Sequence, residues 1–284
     1  MRNNRLLLFL LVIIFSCSDE PYGDTTNENN TNTNTSENFF PSNGYWKYSV
    51  NSQSENFDEL NYLASDSIYI EEEYENHFSL SANEGSPVNG SMNRILTNGY
   101  LFPTPTTLTF DGTLDTSDLP VDFGLNNFDL ANITILDLEA SEGEIMFVEY
   151  GNYSNSFNIQ ENEIPIDISY EISTSKINMH ENININETSY ENVFQGKLEI
   201  SISVSGTFSI FGISQNIPII ENQEIIVSNY YFAKSVGLVK SETLQGFEIS
   251  NELTTLVNLI GGTFDIPNGV SIINEEMLVE YISN

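Results

Sequence analysis

Cys17 is the only cysteine in 284 residues, and a lone thiol is the most nucleophilic side chain this sequence offers. No second cysteine exists to pair with it, so a disulfide within the chain is excluded. The two histidines, His77 and His180, lie far apart and share no metal-ligand spacing, so each reads as a surface or turn residue. The sequence contains no nucleophile elbow, no phosphate loop and no His-Glu-x-x-His helix. Serine is abundant, but none has a histidine and an acid placed beside it to activate the hydroxyl. Carboxylate pairs such as Glu71 and Glu73 could run glycoside hydrolysis. Among 41 acids such pairs arise by chance. The most structured acidic cluster is Asp111, Asp115, Asp118 and Asp122, in a stretch with Gly112 and Pro120. Calcium takes oxygen ligands from loops of this kind, but the calcium-loop spacing is missing, and a solvated loop fits as well. No catalytic residue, metal set or cofactor is nominated, and the expectation is a protein that is not an enzyme.

The neighbourhood of Cys17 is more specific than the thiol. Arg2 and Arg5 precede an unbroken apolar run, Leu6 to Phe15, and small Ser16 stands directly before the cysteine. This is the layout of a secretory signal peptide. The run is far shorter than the ~20 residues a membrane-spanning helix needs. An incidental cysteine in an ordinary signal peptide and an uncleaved anchor are the plain alternatives. Ile14-Phe15-Ser16-Cys17 resembles the lipobox of bacterial lipoproteins. That resemblance implies cleavage before Cys17, diacylglycerol on its sulfur and handling by the lipoprotein export machinery. Ser18-Asp19-Glu20 resembles the acidic export signal of surface lipoproteins of the Bacteroidota, which implies an outer-membrane protein displayed on the cell surface; a periplasm-facing anchor is the alternative.

Residues 1–16 are thus expected to be a signal peptide, and 17–38 a lipidated cysteine followed by a tether. The stretch Thr25 to Thr35 is almost entirely Asn and Thr and has nothing apolar to bury, so ordering it would cost entropy with no return. Random-coil scaling gives such a tether a mean reach of about 25 Å. Asp24-Thr25-Thr26 resembles a short bacterial O-glycosylation motif. Loss of Arg2 and Arg5 leaves 6 basic residues against 41 acids, a formal charge of −35. Such a surface repels nucleic-acid phosphates and anionic lipid head groups. Membrane affinity must therefore come from the acyl chains.

Residues 39–284 carry no internal linker and are expected to form one domain. Their dominant signal is period two. Ile164, Ile166, Ile168, Tyr170 and Ile172 alternate with polar or small residues, and Leu198, Ile200, Ile202 and Val204 repeat the pattern. The phase shifts to odd numbers at Ile177 and Met179, as a bulge or bend requires. Further strands are expected near 45–51, 67–71, 133–138, 144–150, 206–211, 224–232 and 270–282. Turns are expected at Asn89-Gly90, Asn98-Gly99, Asp111-Gly112, Ser205-Gly206 and Asn268-Gly269. Polar outer faces favour antiparallel pairing. Asn251 to Ile260 has helical spacing but also reads as a strand. The expectation is an all-β chain, a single curved antiparallel sheet or open half-barrel with at most one or two short helices.

Three segments carry a family resemblance. Phe39-Phe40-Pro41-Ser42-Asn43-Gly44-Tyr45-Trp46-Lys47-Tyr48, Tyr190-Glu191-Asn192-Val193 and Tyr230 to Lys240 resemble motifs of uncharacterised Bacteroidota surface lipoproteins. Ser235 stands where the family pattern has glycine. The resemblance implies a strongly curved sheet like the half-barrel of lipoprotein carriers, and brings no activity or catalytic residue. On physical grounds Gly237 provides a permissive turn. Trp46, the only tryptophan, reads either as core or as a stacking platform for a sugar.

Two functions stand close together. One is a non-enzymatic binding module that holds an apolar or glycan ligand on its concave face. The other is a structural or interaction component of the envelope. A polysaccharide hydrolase is the third and weakest. An aromatic-lined cavity favours binding, and a filled interior favours interaction. If Cys17 carries the anchor, Cys17→Ser leaves the protein in the aqueous fraction after cell lysis; sedimentation of that variant with the envelope would overturn the lipidation reading.

Overall fold

The computed structural model describes residues 39–41, 44–114, 128–159, 162–210, 212–259 and 267–283. The described residues form twelve strands: β1 (Gly44–Ser54), β2 (Tyr62–Glu73), β3 (Phe78–Ala82), β4 (Gly99–Pro103), β5 (Thr107–Leu114), β6 (Phe128–Asp137), β7 (Ile145–Ile159), β8 (Asn162–Ile185), β9 (Thr188–Ile210), β10 (Ile213–Ala233), β11 (Gly237–Glu248) and β12 (Gly269–Ser283), of which β3, β4 and β5 were not expected from the period-two signal. Two short helices interrupt them, α1 (Ser91–Leu96) and α2 (Asn251–Leu259). All strands belong to one antiparallel sheet in the order β6-β5-β4-β3-β2-β1-β12-β11-β10-β9-β8-β7. Every link except β1 to β12 joins sequence neighbours, and the sheet curls until it is nearly closed into a barrel.

Alternation fixes the faces. Along β8 and β9 the residues Ile166, Ile168, Ile172, Leu198, Ile200, Ile202 and Val204 point inward and are buried. The phase shift near Ile177 coincides with a register shift between Lys176 and Asn178. Two expected turns are strand interior instead. Ser205-Gly206 lies inside β9, so the strands expected at 194–204 and 206–211 are one. Asp111-Gly112 lies inside β5, where Gly112 faces Gly99 of β4; a Cβ on either would strike the opposing backbone. That close approach, not a turn, requires the glycine. Gly237 does turn the chain, at φ +103°, between β10 and β11. Asn251–Leu259 is helical, its first turn capped by the Ser250 hydroxyl accepting from the Leu253 N–H. Trp46 is fully buried, stacked on Tyr281, with its indole N–H donating to the Val236 carbonyl. It is a core residue, so the stacking-platform alternative falls away.

The sheet does not close by a backbone ladder between its end strands, for β6 and β7 share no register among the described residues. Side chains from the far end of the sheet reach the backbone of β6 and the segment after it. Thr174 of β8 donates to the Thr134 carbonyl at 2.6 Å, and Tyr230 of β10 donates to the Ile135 carbonyl at 2.6 Å. The Lys176 ammonium donates to the carbonyls of Leu138 and Ala140, at 2.9 and 2.6 Å. All three side chains are buried. An edge strand with unanswered carbonyls is an aggregation hazard, and a buried carbonyl without a donor costs about 1–3 kcal/mol. These bonds meet both demands. Gly196 makes room for the tyrosine, because a Cβ there would lie 2.4 Å from the Tyr230 ring. Removing only the hydroxyl, Tyr230→Phe, is expected to cost about 1–3 kcal/mol, read as a lowered urea midpoint with retained β-sheet circular dichroism.

Candidate functional site

Three places could host function: the interior, the buried carboxylates and the rim. The interior is occupied. Helix α1 inserts Met92, Ile95 and Leu96 among Phe110, Leu130, Ile133, Leu198 and Tyr230, all buried. The void left there is about 10 Å³ with a wholly apolar lining, at the lower limit for even one water. The concave face was expected to cradle a ligand; the part of it beside β5, β6 and β9 is covered by the protein's own helix. Period two could not reveal this, because α1 has one and a half turns and too few residues to show a helical repeat.

Polar groups inside the sheet exist to hold that helix. Glu276 of β12 accepts from the Met92 and Asn93 backbone N–H groups, at 3.0 and 2.9 Å, and from the Ser241 hydroxyl. Asn274 accepts from the Ser91 N–H at 3.0 Å. Asp66 of β2 accepts from the backbone N–H groups of Asn89 and Gly90 and from the side-chain amides of Asn83 and Asn89. Thus the groups at the start of a buried helix, which have no partner within the helix, find carboxylate and amide acceptors. Gly90 is forced by the same arrangement, since a Cβ there would lie 1.9 Å from a Glu276 carboxylate oxygen. Asp66 and Glu276 are both fully buried and their oxygens are taken up by donors.

The expected site residues are scattered. His77 sits in the β2–β3 turn and His180 on β8, each paired with an amide oxygen at 2.8 Å, those of Asn76 and Gln195. Among the described residues no three His, Cys, Asp or Glu side chains gather as a metal site. Asp111 is an exposed residue of β5, while Asp115, Asp118 and Asp122 lie outside the described residues. So do Cys17, Ser18, Asp19, Glu20 and the Asn/Thr tether.

The rim provides what the interior does not. The tight turn Tyr74 to His77, closed by the Tyr74 N–H donating to the His77 carbonyl at 2.8 Å, faces the β4–β5 turn at Thr104 and Pro105. Between them lies a cleft of about 260 Å³, floored by Phe40 and Phe78. Aromatic rings are concentrated beside it. The His77 ring stacks with Tyr74 at 4.5 Å and with Phe102 at 5.0 Å, and Tyr100 meets its edge at 5.2 Å. Tyr74 and Tyr100 are exposed. The Tyr74 hydroxyl donates to Glu72 at 2.8 Å, and that bond holds the phenol's pKa above its ordinary value. Glu73, Glu75 and Asn76 complete the polar wall. No motif in the sequence marks this cluster. Its signal was Tyr100 and Phe102 sharing one face of a strand by period two, opposite a turn bounded by Tyr74 and His77.

No family model, curated protein or solved structure proves similar to this chain.

Burial gives the interior carboxylate a pH signature. Desolvation raises the Glu276 pKa above 4.5, outweighing the Ser241, Asn93 and Met92 donors that lower it, and the charge of Asp66 raises it further. Tyr48 of β1 also faces it, as a neutral phenol whose own pKa burial pushes well up. A folded state that prefers the protonated carboxyl is favoured most below the unfolded value, and this contribution is lost as pH rises through the folded one. The unfolding free energy of wild type minus that of Glu276→Gln should therefore fall as pH rises from about 4.5. A difference that stays flat or climbs over that range would contradict the assignment.

Proposed function

We propose that this chain is a lipid-anchored, non-enzymatic binding module of the bacterial outer membrane, displayed at the cell surface, and that its contact site is the rim cleft between Tyr74 and Pro105. The observation that carries the reading is the cleft itself: a 260 Å³ depression flanked by stacked, partly exposed aromatic rings and edged by carboxylates and an amide. Aromatic faces receive the apolar face of a sugar ring, while polar groups at the edge receive its hydroxyls. At this size the cleft sits below the usual range of about 300–1,000 Å³ for ligand pockets. It suits one or two rings rather than an acyl chain, so of the apolar and glycan ligands the glycan is favoured. The lipid anchor rests on the Cys17 segment and its likeness to a lipobox.

One observation favours a second reading, a structural or interaction component of the envelope: side chains of α1 pack against the inward face of the sheet and leave a void of only about 10 Å³ there. The two readings differ in a measurement. Detergent-solubilised native protein, titrated calorimetrically with a panel of oligosaccharides, should bind at least one, and Tyr74→Ala should weaken that binding about five- to tenfold, since one aromatic contact contributes roughly 1 kcal/mol. Absence of any binding sensitive to Tyr74 leaves the interaction reading standing.

A further inference from the structure

Resting on the rim cleft as the binding site, we infer that its ligand carries a protonated amine on the ring that stacks there, an amino sugar presented by an oligosaccharide. Three observations converge on a positive group. Glu73 and Glu75 line the cleft while, among the described residues, no lysine or arginine does, so an anionic glycan would meet repulsion at close range. Glu72 is held beside the stack by the Tyr74 hydroxyl, which places a third carboxylate at the edge of the exposed phenol ring. An ammonium next to an aromatic face gains from the ring quadrupole as well as from the carboxylates. The charge of the whole chain, −33 in total, adds a long-range field of the same sign. A uronic or phosphorylated sugar is disfavoured by each of these features. A neutral sugar keeps the stacking and leaves the carboxylates without a cationic partner.

The test varies charge on one backbone. Native detergent-solubilised protein is titrated with a glucosamine tetramer, an N-acetylglucosamine tetramer and a galacturonate tetramer, at mildly acidic pH and two salt concentrations. We expect the glucosamine tetramer to bind at least tenfold more tightly than its N-acetylated form, the galacturonate tetramer not to bind, and affinity to fall with salt. Glu73→Gln combined with Glu75→Gln should weaken glucosamine binding about tenfold. The control pair Glu221→Gln and Glu224→Gln, two exposed acids on β10 outside the cleft lining, should change it less than twofold. If the control pair weakens binding as much as the cleft pair, the attraction is only long-range and the inference fails. If the N-acetylated tetramer binds equally well and Tyr74→Ala abolishes it, the cleft is a neutral-sugar site: the inference fails and the binding reading stands. If no tetramer shows binding sensitive to Tyr74→Ala, both fail.

Discussion

Among the described residues the end strands of the curled sheet do not pair, and buried side chains answer carbonyls along its edge. Thr174, Lys176 and Tyr230 cross from the far end of the sheet to the backbone of β6 and the segment following it. A closed ladder would need the two end strands to lie side by side with matched register and shear. Side-chain donors relax that demand, because each needs only to reach one oxygen. The Lys176 ammonium is the costliest of the three to bury. Two carbonyls and the Phe194 ring, 5.9 Å from the nitrogen, offset part of that cost.

The same closure determines what the interior can be. Beside β6 the inward face is filled by the short helix α1, and the void left there is only about 10 Å³. A helix this short gains little from its own hydrogen bonds. Its stability comes from apolar packing and from Glu276, Asn274 and Asp66, which answer the groups around its start. These buried polar residues explain why the inward faces of β2 and β12 are not uniformly apolar, as that of β9 is. Specification of one helix position is a use of buried polar groups that recurs where a polar network is fully satisfied.

Chemistry available to other molecules is accordingly displaced to the rim. The strands of a nearly closed sheet end in turns, and two such turns supply the Tyr74–His77 segment and the Thr104–Pro105 segment that bound the cleft. Phe40 links this cleft to the core, because its ring also packs edge-on against Trp46 and Phe232. Phe40, just before β1, therefore belongs both to the hydrophobic core and to the lining of the exposed depression. Glu73 and Glu75 line the cleft, in keeping with a chain whose formal charge is −33.

Alternation of Ile, Leu and Val with Ser, Glu and Lys by itself marked the long strands, their antiparallel pairing and the bulge near Ile177, because a strand's two faces repeat every second residue; the short strands β3, β4 and β5 carried too few residues to show it. Composition alone set the anionic surface. The layout around Cys17 is likewise a matter of sequence, read from charge, apolar length and one sulfur. Tertiary structure decided the rest. Along β12 both faces carry apolar residues, so period two could not tell that Asn274 and Glu276 point inward while Ile273 and Val279 are exposed. Only the position of α1 selects that phase. Asp111-Gly112 and Ser205-Gly206 resemble turns locally, yet neighbouring strands hold them extended. The bond from Tyr230 to Ile135 spans 95 residues, and the aromatic cleft joins residues from two hairpins and the chain preceding β1. Contacts of that reach depend on how far the sheet curls, a property of all its strands together that no local stretch of residues encodes.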